Sequence, residues 1–234
     1  MSDDNAISPP NPILMDPFGR HITYLRLSIT DRCDYRCVYC MDPNQRFAKR
    51  DLTLSPDELV AVTRVFVGLG VRKVRLTGGE PLVRPDLIEL LTTLHALPGL
   101  AELVLTTNGS QLAARAQAIR TAGVSRINIS LDTLNPERFR QLTRNGDLDK
   151  VLAGIDAAIA AGFDRIKLNT VLLGKNNGDE ILDLVGFALS KGINISFIEE
   201  MPVGDVANRP SHIDSCDQIR ARIASRYSLI PTTE

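Results

Sequence analysis

The sequence predicts an α/β fold, a curved and partly open barrel in which strands alternate with helices. Three observations carry this expectation. Strand-like and helix-like runs alternate from about residue 22 onward, as in parallel strands joined by right-handed crossovers. Six such units are present, too few for the eight of a closed barrel. The strands also show one apolar and one polar face, whereas parallel strands covered on both sides read as near-continuous apolar runs. A doubly wound open sheet fits the unit count as well. The polar face favours a curved sheet whose concave side holds a polar ligand.

The strands are expected at 22–30, 72–77, 102–107, 126–131, 164–172 and 193–199. The helices are expected at 56–69, 86–96, 110–122, 136–143, 148–161, 178–190 and 215–226. Ser55-Pro-Asp-Glu58 reads as an N-cap, a first-turn proline and a capping-box glutamate, and Asn135-Pro-Glu137 starts a helix in the same way. Gly70, Gly123, Gly162 and Gly192 suit helix C-terminal caps. On the first strand Arg26, Ser28 and Thr30 share one face and Leu25, Leu27 and Ile29 the other. Lys73, Arg75 and Thr77 likewise oppose Val74 and Leu76. Asn128 and Ser130 oppose Ile127 and Ile129, and Lys167 and Asn169 oppose Ile166 and Leu168.

With 234 residues and 44 % hydrophobic residues, the chain suits one large globular domain. A net charge of −1 gives no electrostatic case for nucleic acid or a membrane surface. No apolar run approaches the ~20 residues that span a bilayer, and the acidic start Met-Ser-Asp-Asp-Asn lacks a signal-peptide core. The expected compartment is therefore the cytoplasm. Residues 1–20, with Pro9, Pro10, Pro12 and Pro17, read as a flexible arm, and 21–234 as the core domain.

The strand ends carry the chemistry, as they do in βα folds. The first leads into Cys33-x3-Cys37-x2-Cys40, with Tyr39 before the last cysteine. Three thiolates at this spacing hold three irons of a [4Fe–4S] cluster and leave the fourth iron open, where four cysteines are usual. Zinc is the rival, but it wants four ligands, and neither His21 nor His95 has finger spacing. A disulfide scaffold fits poorly with four cysteines in a chain this long. Spacing alone favours the cluster and leaves zinc open. The distant Cys216 reads as a small structural hydrophobe in a helix.

The second strand ends in Thr77-Gly-Gly-Glu-Pro81, whose glycines let backbone approach a ligand and whose glutamate and free carbonyls suit an ammonium group. The third ends in Thr106-Thr-Asn-Gly109, the fourth in Ser130-Leu-Asp132 and the sixth in Glu199-Glu-Met-Pro202.

Cys33-x3-Cys37-x-Tyr39-Cys40 followed by Gly78-Gly-Glu-Pro81 resembles the radical S-adenosylmethionine superfamily. More narrowly, five further segments resemble the GTP 3',8-cyclase family of molybdenum cofactor biosynthesis: Val74–Leu82, Leu105–Gly109, Ile129–Thr133, Ile166–Thr170 and Phe197–Pro202. The similarity runs over about residues 20–230. It implies an incomplete (βα)6 TIM-like barrel of the radical S-adenosylmethionine type. It also implies that Cys33, Cys37 and Cys40 ligate the cluster, that Tyr39, Gly79, Ser130 and Met201 contact S-adenosylmethionine, and that Arg26, Arg75, Thr106 and Lys167 contact GTP. Cations on an enclosed polar face need anions, which a triphosphate supplies. The implied lyase reaction abstracts the ribose 3' hydrogen of GTP with a 5'-deoxyadenosyl radical and joins that carbon to C8. No separate catalytic side chain is required. The implied partners are GTP, a flavodoxin- or ferredoxin-type electron donor and a second copy in a homodimer.

Two departures from the family pattern shape the expectations. The family holds the guanine on a second [4Fe–4S] cluster bound by three C-terminal cysteines, and the sequence to Glu234 contains no such triplet. The expectation is that this sequence binds the first cluster but does not efficiently complete cyclisation. Ser196 stands where family members often carry an arginine, a phosphate contact that Arg209 is a candidate to replace. The competing readings are a peptide-modifying radical enzyme, which would lack the Arg26, Arg75 and Lys167 set, and a non-enzymatic metal-binding scaffold.

Overall fold

Six parallel strands form one sheet in strict chain order. They are β1 (Tyr24–Ser28), β2 (Lys73–Thr77), β3 (Glu102–Thr107), β4 (Arg126–Ser130), β5 (Arg165–Leu172) and β6 (Asn194–Glu199). The structure, a computed structural model, describes residues 13–49, 52–200 and 215–232. A doubly wound sheet reverses its strand order at a switch point. This one never does, so successive right-handed crossovers carry the helices to one side and the sheet curls around its other face. Strand order thus decides between the two architectures the sequence left open. Among the described residues no pairing joins β6 back to β1, and the barrel stays open.

The helices are α1 (Pro56–Gly68), α2 (Leu87–His95), α3 (Leu112–Thr121), α4 (Pro136–Thr143), α5 (Leu148–Ala160), α6 (Ile181–Ser190) and α7 (Cys216–Ala224). The α1 capping box forms as expected: Ser55 accepts from the Glu58 N–H, and the Glu58 carboxylate accepts from Ser55. Asn135 caps α4 by accepting from the Glu137 and Arg138 amides. The expected first turn of α6 is instead a 3-10 turn, Gly178–Glu180. The buried Asn177 explains this. Its side chain accepts from the Leu173 N–H and donates to the Asp132 and Val171 carbonyls, which redirects the chain just before the helix.

The core lies between the convex face of the sheet and the helices. Val74, Leu76, Leu105, Ile127, Ile129 and Leu168 are fully buried there against Leu90, Leu91, Leu94, Ile119, Ile155 and Leu184. Each such side chain contributes roughly 1.5–3 kcal/mol of transfer free energy. Helices on this side leave the concave face to polar residues, as the alternation predicted.

Of the expected N-terminal arm, residues 1–12 lie outside the described residues. Residues 13–20 form a turn closed by a bridge between Met15 and His21, and the Leu14 N–H donates to the Leu69 carbonyl at 2.9 Å. Cys216 is not a core hydrophobe. It is the first residue of α7 and exposed, and its N–H donates to Glu199 Oε1 at 2.6 Å.

Candidate active site

The cysteine loop leaves the C-terminal end of β1, with Cys33 and Cys37 half-buried, Cys40 exposed and all four cysteines of the chain free. Its shape is set by neighbours from the other side of the barrel mouth. The Arg36 and Val38 amides donate to the Thr143 and Leu142 carbonyls at 3.1 and 2.9 Å. Arg144 donates to the Arg36 and Met41 carbonyls, and the Arg36 guanidinium to those of Cys33 and Tyr35. The Tyr35 ring meets Phe139 edge-on at 6.0 Å. A tight turn, Cys40 N–H to Cys37 carbonyl at 3.0 Å, brings the last two cysteines together.

This donor set fits an iron–sulfur cubane. It offers three thiols and, among the described residues, no nearby histidine, whereas a structural zinc site wants four ligands. A cubane would take one thiolate on each of three irons, so Cys33, Cys37 and Cys40 would leave the fourth open. Burial pushes the Cys33 thiol up to about 11 and the Cys37 thiol higher still. A thiolate at such positions needs the positive charge that bound iron provides.

The Gly-Gly-Glu-Pro turn packs directly onto the residues entering this loop. The Gly79 N–H donates to the Thr30 carbonyl and the Glu80 N–H to the Arg32 carbonyl, both at 2.7 Å. A Cβ on Gly79 would collide with the Arg32 carbonyl oxygen and one on Gly78 with the Thr30 carbonyl oxygen. Gly78 also sits at φ 152°, where L side chains are strained. The glutamate corrects the sequence reading. Glu80 is fully buried, and both oxygens are taken by the Leu82 N–H at 2.9 Å, the Thr107 hydroxyl at 2.7 Å and the Asn108 N–H at 2.6 Å. It braces β3 against the turn and has no free oxygen for an ammonium group. Burial pushes its carboxyl up to about 7 against those donors.

Tyr39 donates its hydroxyl hydrogen to Asp132 Oδ2 at 2.6 Å, and Asp132 Oδ1 accepts from the Val171 N–H. Ser130, at the end of β4, is half-buried and in register with Asn169. Met201 and Arg209 lie outside the described residues.

Below the strand ends, the concave face is strongly cationic. Register puts Arg26 beside Arg75, Lys73 beside Glu102, Arg126 beside Arg165, and Lys167 beside Asn128. These six cations share the face with one carboxylate, Glu102, among the described residues. Lys73 at 2.7 Å and Arg126 at 3.1 Å already occupy that carboxylate. Among the described residues Arg75 bonds only neutral hydroxyls, Tyr24 at 2.5 Å and Thr106 at 3.1 Å. Burial, then Arg126 and Arg75 nearby, hold the Lys167 ammonium below its usual range. Ser196 lies on the same face of β6, opposite Asn169. The structure thus gathers Arg26, Arg75, Thr106 and Lys167 on one wall, with Thr106 and Lys167 one layer and Arg26 and Arg75 two layers beneath Ser130 and the Gly79 turn. Sequence reading overlooked Arg126 and Arg165, whose positions on β4 and β5 match the alternation that revealed Lys167. It flagged Asn108 and Asp132 only as members of strand-end motifs.

Comparison with known proteins accords with this arrangement. The family model described as the radical SAM superfamily matches residues 27–188. The chain is 57 % identical over 223 residues to the GTP 3',8-cyclase of Ectopseudomonas mendocina, covering 94 % of this chain and 67 % of that protein. It is 58 % identical over 221 residues to GTP 3',8-cyclase 1 of Pseudomonas aeruginosa, again covering 94 % and 67 %. Among solved structures it resembles Streptococcus suis SuiB bound to S-adenosylmethionine, with a TM-score of 0.74 at 19 % identity over 87 % of this chain and 47 % of that one. Methylornithine synthase PylB gives 0.64 at 18 % identity over 82 % and 55 %. At such identities the likeness speaks for the fold, a partial TIM barrel. No described helix is long and apolar enough to cross a membrane. Three cysteines on one loop, a glycine turn stitched beneath them and a cationic concave wall fit the same assignment as the sequence identity: the chain belongs to the radical S-adenosylmethionine superfamily, within its GTP 3',8-cyclase family.

Proposed function

We propose that this chain binds a [4Fe–4S] cluster, S-adenosylmethionine and GTP, and catalyses the radical step of GTP 3',8-cyclisation. The observation that carries the reading is the surplus of cations on the concave wall, which a polyphosphate neutralises and a peptide does not. This disfavours the peptide-modifying alternative, and the cysteine loop with its stitched glycine turn disfavours a passive scaffold. Cys33, Cys37 and Cys40 hold the cluster, while Tyr39, Gly79, Ser130 and Met201 hold S-adenosylmethionine. Arg26, Arg75, Thr106 and Lys167 hold the nucleotide. When bound, the reduced cluster and S-adenosylmethionine supply a 5'-deoxyadenosyl radical. The protein's part is position, charge and exclusion of water. Arg26 and Arg75 sit one layer deeper than Ser28 and Thr77. A triphosphate anchored at the deeper level directs its ribose toward the strand ends, where the cysteine loop lies. A low-potential reductant of the flavodoxin or ferredoxin kind, a cytoplasmic location and pairing of two copies complete the reading.

The test is anaerobic reconstitution of the chain. About four irons per chain from this site, 5'-deoxyadenosine on reduction with S-adenosylmethionine, and GTP binding that weakens as salt rises are the expected results. An iron-loaded chain that ignores GTP but binds a peptide would overturn the nucleotide assignment.

A further inference from the structure

Asn108 and Ser110 follow β3. Both reach across the barrel mouth to Asp34, the residue after Cys33. Asn108 Nδ2 donates to Asp34 Oδ1 at 2.7 Å, and the Ser110 hydroxyl donates to Asp34 Oδ2 at 2.6 Å. Asn145 Nδ2 donates to the Asp34 backbone carbonyl at 2.7 Å. The Asn108 amide is itself held from both ends. Its backbone N–H is fixed by buried Glu80, and its Oδ1 accepts from the Ser110 N–H at 2.9 Å. That acceptor bond settles the amide orientation, since a flipped amide would set its oxygen against the Asp34 carboxylate. The NH2 group therefore faces the cysteine loop, and Nδ2 lies 3.8 Å from Cys33 Sγ.

We infer that Asn108 is a positioning residue for the cluster: its amide donates one hydrogen to Asp34 and the other to the Cys33 sulfur, and so raises the cluster's reduction potential. An N–H···S bond favours the more negative, reduced state, and hydrogen bonds to ligand sulfurs are a main control of cluster potential. The buried Glu80 then has an electronic consequence as well as a structural one. It fixes the backbone of the residue that aims the amide. The Gly-Gly-Glu-Pro turn is thereby linked to the Cys33 sulfur through Asn108.

The inference rests on Cys33 being a cluster ligand. Iron that fails to load into the unmodified chain would defeat that assignment, not this one. The test is an EPR-monitored redox titration of the reconstituted chain and of Asn108→Ala and Ser110→Ala. Loss of the amide is expected to move the Asn108→Ala potential negative, so that at fixed poise the ratio of reduced to oxidised cluster falls at least threefold. Ser110→Ala removes a bond to Asp34 but none to sulfur, and is expected to keep the unmodified potential. If Asn108→Ala retains no iron, Asn108→Gln, whose amide is displaced by one carbon, is titrated instead and is expected to shift in the same direction. An unchanged potential in an iron-loaded Asn108 variant, or an equal shift in Ser110→Ala, would reduce Asn108 to a brace and overturn the inference.

Discussion

The Tyr39 hydroxyl and the Asp132 carboxylate, 93 residues apart in the chain, are 2.6 Å apart in the fold. This bond ties the turn that carries Cys37 and Cys40 to the end of β4. Asp132 is fully enclosed, and burial pushes its carboxyl up to about 6 against the donors from Tyr39 and Val171. Removing the hydroxyl strands a buried acceptor, which costs about 1–3 kcal/mol. Tyr39→Phe is therefore expected to lose about that much stability in urea unfolding of the iron-free chain, and to load iron less completely.

Glu80 gives the stability of the iron-free chain a pH signature. Burial raises its carboxyl from the ordinary 4.5 to about 7. Between those values the folded chain holds a proton that the unfolded chain has released, so folding stability falls as pH rises through that window. Asp132, raised from 3.8 to about 6, acts in the same direction. Glu80→Gln is expected to flatten the slope of unfolding free energy between about pH 4.5 and 7, measured by denaturant titration at several pH values. A slope as steep in Glu80→Gln as in the unmodified chain would contradict the burial of that carboxyl.

The two glycine classes in the chain predict opposite effects of added alanine. At Gly79 the new Cβ meets the Arg32 carbonyl oxygen, backbone that cannot swing aside. Gly79→Ala is expected to cost several kcal/mol, as overpacking and lost hydrogen bonds combine, and to abolish S-adenosylmethionine binding in equilibrium dialysis. At Gly68, on α1, nothing lies within 4 Å of the added carbon. Gly68→Ala is expected to raise stability by about 0.5–1 kcal/mol through lost unfolded-state freedom.

Lys167 separates binding from folding. It makes no ion pair among the described residues and lies among other cations. Lys167→Gln is expected to leave the melting temperature of the iron-free chain unchanged or higher. GTP binding is expected to weaken tenfold or more, with a smaller dependence on salt. A large drop in melting temperature would show that the lysine is held by a structural partner.

The sequence by itself determined the elements and the two faces of the sheet. Periodicity two in strands such as Lys73–Thr77, caps such as Ser55 with Glu58, and positive-φ glycines at Gly70, Gly123, Gly162 and Gly192 are local properties. They are written in a few adjacent residues, so they are legible before folding. The cysteine spacing is equally local. What the tertiary structure decided is which distant groups meet. Only the unreversed strand order made the sheet a barrel rather than a doubly wound layer. Only burial turned Glu80 from a candidate ligand into a brace, because its fate depends on Thr107 and Asn108 one strand away. The same holds for Asn108 at the Cys33 sulfur and for Tyr39 at Asp132. Hydrogen bonds between residues dozens of positions apart are set by the packing of βα units, and no spacing along the chain encodes them.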